Sequence, residues 1–234
     1  MHIGNIRLRF HAAGWPFIVL FIGLTVLFYF VNATIFNIAV VATLWCFYFF
    51  RDPPRMTPTR SGLVISPADG EVVAIRQVIP EPELGLGDAP RTRISIFLNV
   101  FNVHVNRYPV DGTVVGRYYR PGKFVNASLD KASVDNERMA LVVQMTGEHQ
   151  HTGELIGFVQ IAGLVARRIV CSAQVGQQAK AGQRYGIIRF GSRADIYLPV
   201  DVQPLVSIGQ TMIGGETVLA DFMSDETRRE GEVR

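Results

Sequence analysis

Pro67-Ala68-Asp69-Gly70-Glu71-Val72-Val73 and Pro109-Val110-Asp111-Gly112-Thr113-Val114-Val115 repeat one pattern, Pro-x-Asp-Gly-x-Val-Val, a turn followed at once by a strand. Asp-Gly is a turn signal, because aspartate bonds its own nearby backbone and glycine adopts conformations closed to other residues. The valine pair that follows suits a pleated, half-buried strand. Runs rich in Val, Ile, Phe and Tyr recur between glycine-containing turns: Gly70 to Ile79, Thr92 to Leu98, Gly112 to Tyr119, Met139 to Met145, Leu155 to Ile161 and Tyr185 to Phe190. Beyond residue 60 no segment shows a long, capped helical period, although Asn126 to Asn136 has room for a short helix or an ordered loop. The expected fold is mainly β, a compact sandwich or barrel-like domain with few short helices.

The N-terminal part reads differently. From Phe10 to Phe50 there is no Asp, Glu, Lys or Arg, and Asn32, Ala33 and Thr34 divide the stretch into two apolar runs. Each run is about 17 residues, near the lower limit for crossing a bilayer, so an α-helical membrane hairpin is expected, as two thin spans or a shallow re-entrant pair. Trp15, Tyr29, Trp45 and Tyr48 stand near the ends of the runs, where interfacial aromatics belong. Arg7 and Arg9 precede the hairpin while Arg51, Arg55 and Arg60 follow it, which puts both ends and the globular part on the cytoplasmic side of the inner membrane. A cleaved signal peptide ending near Val31-Asn32-Ala33 is the competing reading. The second apolar run, Ile35 to Phe50, stands against it. Arg51-Asp52-Pro53-Pro54-Arg55 stops the second helix, since neither proline continues one. The expected organisation is therefore a hairpin over residues 1–55 and a β-rich domain over 56–234, with a solvated charged tail from Asp221.

Composition narrows the chemistry. Nearly half the residues are apolar, and the net charge is only +3, so contact with a membrane is expected and a nucleic-acid partner is not. Only Lys123, Lys131 and Lys180 are lysines, so arginine carries almost all the positive charge, and its fork suits phosphate and carboxylate oxygens. Cys46 and Cys171 lie in different segments and suggest no disulfide framework. With no histidine or second cysteine beside Cys171, neither a zinc knuckle nor a thiol protease assembles there.

Few residues are left to do chemistry. His149 and His151 form a His-x-His flanked by Glu148 and Glu154 but lack a third ligand, which favours a solvated hairpin tip and no metal. His104 lies among apolar and amide residues in Phe97-Leu98-Asn99-Val100-Phe101-Asn102-Val103-His104-Val105-Asn106-Arg107, near a strand end, where it can act as base, acid or hydrogen-bonded core residue. Asp69 and Asp111, taken alone, are turn caps. Ile187 to Pro199 reads as strand, interruption, strand, and the interruption is Gly191-Ser192. A serine hydroxyl against the glycine carbonyl before it, with a base nearby, can attack its own backbone.

The whole set resembles the phosphatidylserine decarboxylases in their short prokaryotic form with an N-terminal apolar hairpin. The parts that carry the resemblance are Phe49-Phe50-Arg51-Asp52-Pro53-Pro54-Arg55, Ser66-Pro67-Ala68-Asp69-Gly70, Asn102-Val103-His104-Val105-Asn106-Arg107, Gln160-Ile161-Ala162-Gly163 with Ala166-Arg167-Arg168-Ile169, and Arg189-Phe190-Gly191-Ser192-Arg193. The resemblance implies a proenzyme that cuts itself between Gly191 and Ser192, turning Ser192 into a covalent pyruvoyl group. The two chains stay associated, and a homodimer is suggested. The pyruvoyl would form a Schiff base with the serine headgroup of the lipid and take up the electrons left as carbon dioxide departs, giving phosphatidylethanolamine. Asp69 matches the family aspartate of the self-cleavage triad, Asp111 has no such match, and His104 is the base. Long-form members carry a second histidine where Arg107 stands and a threonine where Arg193 stands; either arginine is a candidate for the lipid phosphate. The same motifs fit an ether-lipid serine substrate. A membrane-anchored metallopeptidase using His104 with His149 or His151, and a non-catalytic scaffold, are the readings from other classes.

Overall fold

The structure, a computed structural model, describes residues 9–122, 136–147, 151–163, 168–189 and 192–232. Apart from Asn136, the stretch Asn126 to Asn136 lies outside them. The chain divides into two compact units, Met1–Pro54 and Arg55–Arg234.

The first unit is a pair of helices, α1 (Trp15–Tyr29) and α2 (Ala33–Phe49). Asn32 makes the corner: its side-chain oxygen accepts from the backbone N–H of Thr34 and Ile35, capping α2. Thr25 and Thr43 join the helices through their hydroxyls at 2.8 Å, and both hydroxyls also bond helix carbonyls, so neither is stranded in apolar surroundings. Large apolar side chains such as Val19, Leu20, Val26, Ile38, Val41 and Leu44 are exposed around the pair, as in a helix whose solvent is lipid. Together with the turn before α1, Ala12–Tyr29 is long and apolar enough to cross a membrane, while Ala33–Phe49 is shorter.

The second unit is mostly β, as expected, with a curled half-barrel sheet at its centre. Its strands are β1 (Leu63–Ile65), β2 (Gly70–Val78), β3 (Arg91–Leu98), β4 (Val105–Arg107), β5 (Gly112–Arg120), β6 (Arg138–Met145), β7 (Leu155–Ala162), β8 (Ile169–Cys171), β9 (Gln178–Ala179), β10 (Arg184–Ile188), β11 (Ser192–Leu198), β12 (Thr211–Met212) and β13 (Val218–Asp221). The main sheet runs β12-β2-β3-β11-β7-β6-β5-β9, with β4-β10-β8 and β1-β13 as smaller sheets.

The repeated sequence pattern produces the same local structure twice. In β2 the register slips between Val72 and Ala74, and in β5 between Val114 and Gly116. In each repeat the first valine is fully buried and the second occupies a bulge, which bends the strand. The glycine that opens each strand is required for the same reason in both. A Cβ on Gly70 would lie 2.2 Å from the Phe97 carbonyl oxygen, and one on Gly112 would lie 2.2 Å from that of Gln144. The two turns also bond each other, Arg107 N–H to the Pro67 carbonyl at 2.9 Å and Ile65 N–H to that of Pro109 at 2.8 Å. Gly112→Ala is therefore expected to destabilise the unit by about 2 kcal/mol or more, because the clash is with backbone that cannot swing away. A lower urea midpoint for the variant checks it.

One face of the sheet packs the core: Val72, Ile94, Ile96, Val114, Leu141, Val143, Ile156, Phe158, Ile196 and Leu198, closed by the rings of Tyr108 and Tyr185. The other face is covered by the segment after β2, through Leu84 and Leu86. Its polar members are buried with partners: Arg193 donates to Asp195 at 2.8 Å, Arg138 to Glu81 at 3.0 Å and to Glu83. Tyr197, its hydroxyl pushed well up by burial, donates to Glu81 at 3.0 Å.

Candidate active site

Ser192 opens β11, the strand between β3 and β7, with Leu98 opposite on one side and Ala162 on the other. It is fully buried, and among the described residues its hydroxyl has no hydrogen-bond partner. The buried hydroxyls of Ser95 and Tyr108 share this state, and what sets Ser192 apart is its place at the start of β11, paired with Leu98 at the end of β3. The next residue on the same face of β11 is Ala194, which packs with Leu98 and Ala68 in a small buried cluster. The immediate neighbours of Ser192 on this face are therefore alanines and a leucine, with the buried amide of Gln160 across from Ala194. Gly191 and Phe190 lie outside the described residues.

His104 is fully buried just ahead of β4. Its backbone carbonyl accepts from Ile188 N–H at 3.2 Å, at the end of β10. The segments 98–104 and 188–192 are therefore fastened together at both ends, by the Leu98 and Ser192 pairing and by this bond, and they carry the histidine and the serine. Amides brace the first segment: Asn99 N–H donates to the Asn102 side chain, and Phe101 N–H to that of Asn99, both at 2.8 Å. The His104 ring nitrogen Nδ1 sits 3.0 Å from the Asn102 carbonyl. A carbonyl only accepts, so Nδ1 carries the hydrogen and Nε2 is the basic nitrogen of the neutral ring.

Asp69 stands in the turn before β2, next to Ala68 of the cluster that includes Leu98 and Ala194. Its Oδ1 accepts from Gly214 N–H at 2.8 Å, and both carboxylate oxygens meet Nη2 of Arg55, at 2.9 and 2.7 Å. Asp111, the equivalent residue of the other repeat, accepts from Ala181 N–H at 2.7 Å. Ser192, His104 and Asp69 thus stand on adjoining segments: Ser192 is paired with Leu98, His104 is bonded through its carbonyl to Ile188, and Asp69 follows Ala68 of the cluster with Leu98 and Ala194.

Other residues expected to act are elsewhere. Arg193 points away from Ser192, as strand alternation requires, and is buried against Asp195; Arg107 is buried too, its Nη1 donating to the Gly182 carbonyl at 2.9 Å. Neither is an exposed cation awaiting a phosphate. His151 lies 3.9 Å from Asp201 and against the Phe222 ring, whereas His149 and Glu148 lie outside the described residues. Among the described residues no three His, Cys, Asp or Glu gather as a metal site. Burial pushes the Cys171 thiol up, away from the reactive thiolate, even with Arg117 beside it.

Sequence reasoning gave no role to two features of the site. Gln160 pairs across from Ala194, on the face of Ser192, and donates to Asn106 at 2.7 Å; both amides are buried, and Asn106 is two residues past His104. Both stood within the recognised motifs, which was the available signal. Arg189, three residues before Ser192, is pushed down from the ordinary guanidinium range by burial and then by Arg168, against the pull of Glu137.

A family model described as phosphatidylserine decarboxylase matches residues 42–220. A phosphatidylserine decarboxylase proenzyme of Paramagnetospirillum magneticum is 59% identical over 221 residues, 94% of this chain and 90% of its own. Proteins of the same name from Cereibacter sphaeroides and Rickettsia rickettsii are 55% and 53% identical, over 96% and 93% of this chain and 94% and 92% of theirs.

Proposed function

The chain belongs to the phosphatidylserine decarboxylase family, and from that premise we propose that it cuts itself before Ser192 and then converts phosphatidylserine into phosphatidylethanolamine and carbon dioxide. The observation that carries the cut is the fully buried, unbonded Ser192 hydroxyl in a segment fastened to the one bearing His104. Nε2 of His104 takes the hydroxyl proton. Oγ adds to the carbonyl of residue 191, the peptide C–N bond breaks, and an ester joins residue 191 to Ser192 Oγ. Loss of the α-proton of Ser192 and departure of the residue-191 carboxylate leave an unsaturated residue, which water converts to a pyruvoyl group with release of ammonia.

The residues around Ser192 fit such a group: Leu98, Ala162, Ala194 and Ala68 are buried and apolar, surroundings that keep water from a reactive carbonyl. A pyruvoyl group supplies the electron sink that decarboxylation needs. The apolar wall strips hydration from a carboxylate brought against it and so favours its leaving as neutral carbon dioxide. His104 Nε2 then holds the proton that replaces it, and the buried hydrogen bond from Gln160 to Asn106 ties the strand beside Ser192 to the one that follows His104.

The cut does not separate the pieces. Residues 192–234 contribute β11, held by β3 and β7, β12, held by β2, and β13, held by β1, all partners on the larger piece. The apolar hairpin keeps the enzyme at the bilayer where a diacyl substrate lies, and the arginines around it favour the cytoplasmic face.

Intact-protein mass spectrometry tests the reading. Purified enzyme should give two masses, residues 1–191 and an N-terminally blocked 192–234, and should release ethanolamine lipid from diacyl substrate in the presence of a chelator. A single uncut mass in a preparation that makes the product would overturn it, and a preference for diether lipid would change the substrate but not the chemistry. Asp111→Asn should cut like the wild type, because its carboxylate caps a turn that asparagine also caps, whereas Asp69→Asn should slow cutting about 10²- to 10³-fold, to a rate still measurable over hours. Gel-resolved time courses of the two variants compare them.

A further inference from the structure

The two Pro-x-Asp-Gly-x-Val-Val turns form an internal comparison. Asp69 and Asp111 each accept a backbone N–H from a distant loop, and each is followed by a glycine pressed against a neighbouring carbonyl and by a bulged valine. Asp69 adds an ion pair with Arg55, both side chains largely buried. Arg55 is the first residue of the catalytic unit, directly after Pro53-Pro54.

Arg55 does not meet Asp69 as a loose surface side chain. The arm that carries it is clipped down over three residues. After Arg55, Met56 N–H donates to Glu216 Oε1 at 3.1 Å, and Thr57 lies over Gly182, where a Cβ would come within 2.0 Å of the threonine hydroxyl. Gly215 makes room at the other end: a Cβ there would lie 2.6 Å from Cδ of Arg107 and 3.4 Å from Cβ of Arg55. Both glycines have positive φ, +77° and +83°, so each is fixed by conformation as well as by space. The bed also contains Arg107, bonded to the Gly182 carbonyl.

From this geometry, and on the maturation reading above, we infer that Arg55 is a positioning residue for self-cleavage: the seated arm Arg55–Thr57 delivers a guanidinium that fixes and charges the Asp69 carboxylate, and the chain cuts itself only when the arm is seated. An aspartate that orients a catalytic group must stay ionised and in one rotamer, and a guanidinium reaching both oxygens, with a backbone N–H on one, secures both conditions. The arm begins one peptide bond beyond the hairpin's prolines, so maturation is tied to the connection between anchor and enzyme. An unseated connection takes the guanidinium from Asp69 while its bond from the Gly214 N–H stays.

Pulse-labelled synthesis of the full chain with lipid vesicles, followed by gel separation of cut and uncut chain, tests the assignment. Arg55→Gln keeps most of the stem but removes the charge, and is expected to slow cutting about 10²-fold. Arg55→Lys, which restores charge without the fork, should recover part of that loss. The chains that do mature should decarboxylate at the wild-type rate per pyruvoyl group, counted by mass. The double variant Arg55→Gln with Asp69→Asn should cut no more slowly than Asp69→Asn alone, since Arg55 works through Asp69. Wild-type cutting in Arg55→Gln would overturn the assignment, and so would a further loss in the double variant or no recovery with lysine. A wild-type chain that never cuts would instead sink the maturation reading on which the assignment rests.

Discussion

Ser192→Ala leaves the chain in one piece and without decarboxylase activity, while the fold stays as it is. Each half of that expectation has its own physical ground. The hydroxyl is the nucleophile of the cut and the source of the carbonyl, so its loss removes the whole catalysed route, a fall of at least about 10⁶-fold toward the uncatalysed rate. Stability is a separate matter. The residue is fully buried, its neighbours across the sheet are Leu98 and Ala162, and its hydroxyl bonds nothing among the described residues, so alanine leaves no orphaned partner. The variant should melt within a degree or two of the uncut wild type, and a single intact mass beside two wild-type masses reads the rest. A folded Ser192→Ala chain that still decarboxylates would remove the pyruvoyl mechanism. Ser192→Thr is a finer probe: its extra methyl crowds a fully buried position between Leu98 and Ala162, so cutting should slow without stopping.

The larger elements were legible because their signals are local. Six runs predicted as strands agree with β2, β3, β5, β6, β7 and β10 to within one or two residues at most ends, since each has its own turn and β-branched stretch. The short strands β1, β4, β8, β9, β12 and β13 carry no such signal. They are two to four residues long, and they are strands because a partner lies alongside. The bulges at Val73 and Val115 were hidden for the same reason, although the repeat that encodes them was plain. In the site, Ser192, His104 and Asp69 came from motifs, and the structure adds how the chain brings them together: register at Leu98, one bond to Ile188, and one small cluster at Ala68. In the sequence Arg55 is a charge flanking the apolar hairpin, and its contact with Asp69 is tertiary. The position of Arg193 was within reach of the sequence, because a residue after Ser192 in a strand must face the other way.

His104→Gln should impair both reactions, and comparing the two losses tells whether one ring serves both. Cutting needs a base for the Ser192 hydroxyl, and decarboxylation needs an acid to protonate the carbon that has lost carbon dioxide. The Nδ1 bond to the Asn102 carbonyl leaves Nε2 to do either, first taking a proton and later giving one. Glutamine can keep a donor toward Asn102 but offers no nitrogen of comparable basicity. Each rate should fall by about 10²- to 10⁴-fold, the usual contribution of a positioned acid or base. Pulse-labelled chains give the first loss, and lipid turnover per pyruvoyl group in the fraction that matures gives the second. His104→Ala is the poorer variant, because it leaves the Asn102 carbonyl and a buried cavity without a partner, at about 1–3 kcal/mol of stability, and so mixes folding with chemistry. Equal losses in the glutamine variant assign both proton transfers to His104. A chain that cuts normally but does not turn over lipid would confine His104 to decarboxylation and leave the hydroxyl proton of Ser192 to another base, with Asp69, already held by Arg55 and the Gly214 N–H, the first carboxylate to examine.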